Sequence, residues 1–325
     1  MKYDIGIGLT NRCNLNCPHC YSREEGFQDL KFEDIKSLVE NMNINSINLG
    51  TGESILCEDF DDIIQYLHQK NIKMSLTTNG YTVSKISDEK LKYFNDIDFS
   101  LDFPSKEKHD KFRDVGFSKL VMEGIKRCKK NNIECSIATA MMNCNYMYMN
   151  DLVNLAQTNG ICLRVNIFKP VRTDKFKLTY DEFWEGIRLL FENSTIVSCS
   201  EPIVNALLKN KILDGGSPCG KKSLRIKPDK KIVPCVYLKS SSYDINEYIN
   251  DINDNVSSNK IKEFEKTTKQ IPKYCLENCS LVEYCKGGCY SRRFYNGNID
   301  SPDEYCFVTR NDKPKIKFKF GEKKI

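Results

Sequence analysis

The chain has 325 residues, 40% of them hydrophobic and 29% charged, with a formal net charge of +5. This is a globular composition, long enough for two packed units or one large barrel with an appendage. No apolar run reaches the roughly 18 residues of a membrane span, the N-terminus lacks an apolar targeting segment, and the lysines are scattered rather than striped. A cytoplasmic protein with neither a membrane nor a nucleic-acid partner is expected.

Short apolar runs alternate with amphipathic ones over the first half. Strands are expected at YDIGIGL from Tyr3, SINLG from Ser46, IKMSLTT from Ile72, DIDFSLD from Asp96, ECSIATAMM from Glu134 and CLRVNIF from Cys162. Helical patterns begin at Phe32, Phe60, Ser87, Phe117 and Met149. In the second, Phe60, Ile63, Ile64 and Leu67 fall at i, i+3, i+4 and i+7 and form one apolar face. Such alternation means βαβ units and a parallel sheet. Six units are too many for a small open sheet and too few for a closed eight-stranded barrel. The fold class expected is therefore α/β: a partial (β/α)6 TIM-like barrel over residues 1–170, followed by a small irregular cysteine-rich α+β domain. Active-site groups belong on the loops after the strands.

Residues 171–214 form a connecting region with one clear helix, YDEFWEGIRLLFEN, where Trp184 is a packing residue. Over 215–310 the periodicity fades and Gly, Pro, Ser, Asn and Lys become frequent. Such a segment buries little apolar surface, so thiol chemistry is expected to hold it. The basic tail, 311–325, contains KIKFKF, which alternates as an edge strand does; it could also receive an extended peptide.

Sixteen cysteines in a chain without a secretion signal point to metal rather than disulfides. Three, Cys13, Cys17 and Cys20, stand in TNRCNLNCPHCYS, right after the first strand, at C-x3-C-x2-C spacing. Seven more, Cys219, Cys235, Cys275, Cys279, Cys285, Cys289 and Cys306, lie in the C-terminal segment. The other six, Cys57, Cys128, Cys135, Cys144, Cys162 and Cys199, stand singly, and most of them are expected to be ordinary packing thiols. A structural zinc site wants four ligands, and His19, the only nearby candidate for a fourth, is adjacent to Cys20, which strains a tetrahedral site. A 4Fe–4S cubane held by three thiolates instead keeps one iron open.

On these residues the chain resembles the radical S-adenosylmethionine (radical SAM) family, whose signature is C-x3-C-x2-C on the loop after the first barrel strand. The resemblance implies that S-adenosylmethionine chelates the open iron and is reductively cleaved to a 5′-deoxyadenosyl radical. His19 takes the place of the aromatic residue that flanks the adenine. NLGTGES resembles the Gly-Gly-Glu loop after the second strand, with Thr51 in place of the first Gly and Ser54 in place of Pro. Gly52 then allows close backbone approach and Glu53 accepts from the methionyl ammonium. Asn79 in TTNG, Ser100 and Asp102 in FSLD, and Asn166 in the sixth strand match the remaining cofactor contacts, the Ser-x-Asp pair reaching the ribose.

The seven later cysteines resemble the SPASM extension of that family, which binds two auxiliary 4Fe–4S clusters. The family pattern assigns Cys219, Cys235 and Cys289 to an inner cluster and Cys275, Cys279, Cys285 and Cys306 to an outer one. Two small departures are the three-residue gap between Cys275 and Cys279, and Lys230 where a Gly commonly precedes Cys235 by five residues. Seven thiols leave the inner cluster one ligand short, so it either keeps an open iron or is completed by a remote thiol such as Cys199. Two zinc ribbons are the alternative on spacing alone.

The resemblance further implies a ribosomally made precursor peptide or protein as substrate, a flavodoxin or ferredoxin as electron donor, and a thioether, carbon–carbon crosslink, epimerisation or oxidation as product. The sequence opens at the first strand, from which no peptide-binding domain ahead of the barrel is expected, and Val236 after Cys235 argues against formylglycine formation. Cys144, just beyond the fifth strand, could return a hydrogen atom to a substrate radical, with Cys57 a weaker candidate. The competing readings are a dehydrogenase or decarboxylase of a small biosynthetic intermediate, and a zinc-stabilised scaffold without enzymatic activity.

Overall fold

The computed structural model describes residues 2–22, 26–195, 198–211, 215–220, 223–238, 242–253 and 259–319. The end of the basic tail, 320–325, lies outside them. Among the described residues no helix is long and apolar enough to cross a membrane.

All six expected strands form: β1 (Tyr3–Ile7), β2 (Ile44–Leu49), β3 (Lys73–Thr78), β4 (Asp96–Ser100), β5 (Glu134–Met141) and β6 (Cys162–Ile167). They pair in parallel in chain order, each joined to the next through helical crossovers. This is the TIM-like partial barrel. The helices follow the periodicity closely, at Phe32–Asn41, Phe60–Gln69, Phe117–Lys130 and Met149–Thr158. The pattern from Ser87 shrinks to one turn, Asp88–Leu91, whose start Ser87 caps by accepting from the Lys90 N–H at 3.2 Å.

The sheet is larger than expected. Three short strands, β7 (Ser223–Ile226), β8 (Lys231–Val233) and β9 (Tyr243–Asp244), come from the cysteine-rich segment. β7 pairs parallel to β1, and β8 and β9 follow antiparallel, giving the order β6-β5-β4-β3-β2-β1-β7-β8-β9. Leu224, Ile226, Ile232, Tyr248 and Phe264 are buried in the same core as the barrel. The expectation that this segment buries little apolar surface is thus corrected: it completes the barrel's sheet. The tail does not form the expected strand up to Lys319, although Phe318 still rests on Phe191, ring centroids 5.1 Å apart. Trp184 packs as expected, its Nε1 donating to the Tyr305 carbonyl at 3.1 Å.

Side-chain alternation gives the sheet two unlike faces. Ile5, Ile7, Ile47, Leu49, Leu76 and Ile97 are buried in the core shared with the helices. Burying each such side chain stabilises the fold by roughly 1.5–3 kcal/mol. The opposite face is polar or small. Arg225, Gly6, Asn48 and Ser75 lie in one row of register partners, and Thr77, Asp98 and Ser136 in another. Asn48 donates to the Ser75 hydroxyl at 2.8 Å, Ser136 bonds Asp98, and Arg164 pairs with Asp98 at 3.1 Å. The inner surface is therefore a polar trough, and the loops after the strands form its rim.

Candidate functional site

The three-thiol loop leaves β1 and is tied down before it reaches Cys13. Leu30 N–H donates to Leu9 O at 2.8 Å, Asn11 N–H to Gln28 O at 3.2 Å, and Arg12 N–H to the Thr10 hydroxyl at 3.0 Å. Glu53 N–H then donates to Arg12 O at 2.8 Å, fastening the loop to the segment after β2. Gly52 makes that approach possible. Its φ is +63°, and a Cβ there would stand 2.4 Å from Thr10 O and 2.5 Å from Arg12 O. Gly52 thus touches the backbone of the cysteine loop.

The Glu53 carboxylate is buried and faces the end of β3. One oxygen accepts from the Thr78 hydroxyl and from the Thr82 N–H and hydroxyl; the other accepts from Asn79 N–H at 3.0 Å. Burial pushes its pKa up, against the pull of these donors. The second oxygen thus has one protein donor where the first has three. Asn79 turns its side chain the other way: Nδ2 donates to Asn14 at 3.0 Å and lies 3.8 Å from the Cys13 sulfur, which also receives Leu15 N–H at 3.4 Å. N–H groups directed at sulfur suit a thiolate ligand. Cys20 N–H closes a turn onto Cys17 O at 3.2 Å.

Asp102 is fully buried at the end of β4. It accepts from Arg113 Nε at 2.7 Å and Ala140 N–H at 3.1 Å, and His19 Nε2 stands 3.7 Å away. Burial alone would raise the Asp102 carboxyl; Arg113 and His19 outweigh it and bring it down to about 2. The His19 ring stacks on Phe112 at 4.9 Å and meets Phe176 edge-on at 6.4 Å. Burial lowers its pKa to about 4, so it is neutral at pH 7. Arg113 was invisible to sequence reasoning: no motif marks it, yet it is a buried cation acting on Asp102, Cys17 and Cys20 together. Ser100 is half-buried at the end of β4, and Asn166 is exposed near the end of β6.

The C-terminal thiols fall into two groups. Cys275, Cys279, Cys285 and Cys306 line one small apolar cavity with Ile203 and Phe307. Cys219 and Cys235 act on one another as free thiols, and Cys289 acts on Cys235. Cys235, with Ser217, Arg225 and Lys169, lowers the Cys219 thiol below its ordinary value against the opposing effect of burial. Cys199 stands apart: its thiol donates to Glu201 O at 3.8 Å, and Glu201 is the one charged group acting on it. Cys144 is exposed on the rim, whereas Cys57 is buried in the core with its thiol donating to Leu30 O at 3.5 Å.

All sixteen cysteines are free thiols. Among the described residues no three ligand side chains are already drawn together to metal-binding spacing. The donor chemistry fits iron–sulfur clusters nonetheless: three thiols on one loop with N–H groups directed at Cys13, and four thiols around a cavity whose lining has no carboxylate or imidazole. Tyr21 and Tyr237 link the loop to the inner group. Their rings meet edge-on at 5.1 Å, Tyr21 follows Cys20, Tyr237 lies two residues beyond Cys235, and the Tyr21 hydroxyl bonds Thr51 at 3.1 Å.

The sequence profile described as the radical SAM superfamily matches residues 7–156. These residues are a radical SAM domain. Around that domain the whole chain has relatives. Mycofactocin maturase MftC of Mycobacterium tuberculosis (strain ATCC 25618 / H37Rv) is 23% identical over 320 residues, covering 92% of this chain and 81% of its own. GTP 3',8-cyclase of Aliarcobacter butzleri (strain RM4018) is 23% identical over 320 residues, covering 90% and 95%. The solved structure of anSMEcpe with bound AdoMet aligns with a TM-score of 0.75 over 95% of each chain at 18% identity. Streptococcus suis SuiB bound to precursor peptide SuiA aligns with a TM-score of 0.67 at 17% identity, over 94% of this chain and 76% of its own. Both structures share the fold beyond the radical SAM domain, and the C-terminal cysteine array is consistent with a SPASM-type extension.

Proposed function

We propose that this radical SAM enzyme modifies a ribosomally made peptide or protein side chain. The observation that carries the reading is the rim itself. A three-thiol loop faces a second thiol group across the Tyr21–Tyr237 contact, over a polar trough. Cys13, Cys17 and Cys20 would hold the cluster that binds S-adenosylmethionine; Cys219, Cys235 and Cys289 an inner auxiliary cluster; Cys275, Cys279, Cys285 and Cys306 an outer one. Together the first cluster and S-adenosylmethionine supply, when bound and reduced, a 5′-deoxyadenosyl radical that takes a hydrogen atom from an unactivated carbon.

The chain's own residues orient and enclose. His19, Phe112 and Phe176 offer aromatic surface for the adenine. The second oxygen of Glu53 would accept from the methionyl ammonium, while Gly52 seats the cysteine loop. Ser100, Asp102 and Asn166 face the ribose side, with Arg113 keeping Asp102 ionised. Asn79 steadies Cys13. Cys144 would be the residue that returns a hydrogen atom, a reading its exposure supports; the burial of Cys57 speaks against the same role there. A flavodoxin or ferredoxin is the electron donor proposed.

The peptide reading draws on the maturase relative and on the peptide-bound SuiB fold. A small-molecule substrate is the second reading, because the cyclase relative spans as much of the chain. Anaerobic reconstitution tests the core of both: about twelve iron per chain for three cubanes, and release of 5′-deoxyadenosine with dithionite and S-adenosylmethionine. Candidate precursor peptides and nucleoside triphosphates are then compared by mass spectrometry and chiral amino-acid analysis. Turnover of the nucleotide alone would replace the peptide reading. A fully loaded protein that never releases 5′-deoxyadenosine would end both.

A further inference from the structure

Two cations stand near the inner thiol group, and neither forms a close ion pair of its own. Lys169, just beyond β6, is 7% exposed, yet its ammonium makes a single hydrogen bond, to Ile167 O at 3.0 Å. It lies 6.0 Å from the centre of the Tyr237 ring. The carboxylate that acts on it, Glu201, is bound at 2.6 and 2.9 Å by Arg292, which it shares with Asp303, so Glu201 is only part of the counter-charge Lys169 needs. Arg225, on β7, crosses over Gly6, where a Cβ would meet its Cδ at 2.6 Å. Its NH1 donates to the Ser223 hydroxyl at 2.8 Å and to Leu224 O at 2.9 Å. Ser223 in turn is bridged to Cys219, its carbonyl accepting from Gly220 N–H at 3.0 Å. Among the described residues no ion pair within 4.0 Å joins either cation to a carboxylate; Lys169 is buried and Arg225 half-buried. Unpaired buried charge is costly unless an opposite charge occupies the site.

We propose that Lys169 and Arg225 are positioning residues for the inner auxiliary cluster: from beside Tyr237 and Ser223 they offset its negative charge and hold its reduction potential up. The proposal rests on the inner-cluster reading above. A cubane with thiolate ligands is anionic and gains a further negative charge on reduction. Nearby fixed cations favour the reduced form, and net charge is among the quantities that set such potentials. An anionic group of the substrate is the other charge that could sit between them. Arg225 argues for the cluster, because its guanidinium is fastened to the residue that brackets Cys219 rather than turned to the rim.

The test uses the full chain carrying Cys13→Ala, Cys17→Ala and Cys20→Ala, reconstituted anaerobically, so that only the auxiliary sites load. Iron analysis should give about eight per chain; about four would remove the inner cluster and the proposal with it. Redox titration followed by electron paramagnetic resonance should show two clusters, the inner one identified by its loss in Cys289→Ala. Adding Lys169→Met and Arg225→Met should shift that cluster's reduced-to-oxidised ratio at least tenfold toward oxidised, ~59 mV for one electron. The outer cluster should not move. Lys169→Arg with Arg225→Lys should restore the parent value. Should the Met pair fail to load, loading of the Arg/Lys pair supports the proposal and its failure overturns it. An inner potential unmoved in a fully loaded Met pair overturns it as well, and would leave the cations to a substrate anion.

Discussion

Lys230 and Thr51 hold φ angles of +61° and +71°, in the left-handed region where a side chain costs about 1–2 kcal/mol. These are the two places where the resembled families carry Gly, so the backbone demand has survived the change of residue. Each side chain returns something. Thr51 gives its hydroxyl to Tyr21 at 3.1 Å, and Lys230 pairs with Asp34 at 2.9 Å. The Lys230 pair is half in solvent and worth about 0–1 kcal/mol. Lys230→Gly should therefore leave stability unchanged or raise it by up to about 1 kcal/mol in urea denaturation; a clear loss would show that the ion pair outweighs the strain. His109 is a second single-residue case. It is fully buried, accepts from Asp102 N–H through Nδ1 at 3.2 Å, and has Asp102, Asp110, Arg113 and His19 around it. Burial, with Arg113, lowers its pKa from 6.5 to about 4. Between those values the unfolded chain takes up a proton that the folded one refuses, so stability falls as pH drops through that window. His109→Gln, which keeps an acceptor, should flatten the fall between pH 6.5 and 4 and leave stability at pH 7 less affected. Urea midpoints across that range read it out.

At the scale of elements, Glu53 is an anchor between two of them. The segment after β2 carries it, and the turn after β3 supplies its donors, Thr78, Asn79 and Thr82. Glu53→Gln puts an amide among groups that all donate, so at least one buried donor loses its acceptor, at about 1–3 kcal/mol. The loss should appear in the melting of the chain without any ligand. An unchanged melt combined with weakened S-adenosylmethionine binding would instead make Glu53 a ligand contact alone. The elements themselves were largely readable. The apolar spacing in Phe60–Gln69 and Phe117–Lys130 is enough to set those helices, and alternation is enough to set β1 to β6. β7, β8 and β9 were not readable, because four, three and two residues carry no periodicity. They are strands only because β1 presents an open edge to β7. The candidate site divides in the same way. Thiol spacing is a sequence property, and the cysteine groups were legible from it. Arg113, Lys169 and Arg225 were not, because their roles come from burial and from the missing or present carboxylate across the fold.

On the scale of the whole molecule, the question is what joins the cysteine-rich end to the barrel. The shared sheet is the direct link; a buried ionic triad ties the same end to the connecting region that follows the barrel. Arg292 is 1% exposed and binds Asp303 through Nε at 2.9 Å and Glu201 through NH1 and NH2. Asp303 also accepts from the N–H groups of Cys289 at 2.8 Å and Tyr305 at 3.1 Å, so it fixes the chain beside one thiol of each group. The guanidinium lies over the Tyr305 ring at 4.9 Å, and that ring stacks on Phe183 of the 180–192 helix at 4.2 Å. Burial alone would raise the Glu201 carboxyl, but Arg292 outweighs it and holds it below the ordinary value, so the triad's contribution is present at neutral pH and is lost as the pH falls through that lowered value. Arg292→Met keeps the stacking volume and strands two buried carboxylates. The expected cost is about 3–5 kcal/mol. In a triple variant with Glu201→Gln and Asp303→Asn the unpaired charges are gone, and much of that cost should return. Urea denaturation of the iron-free chains measures both, independently of cluster loading. Equal losses in the single and triple variants would mean that packing of Arg292 against Tyr305, rather than charge, makes the joint.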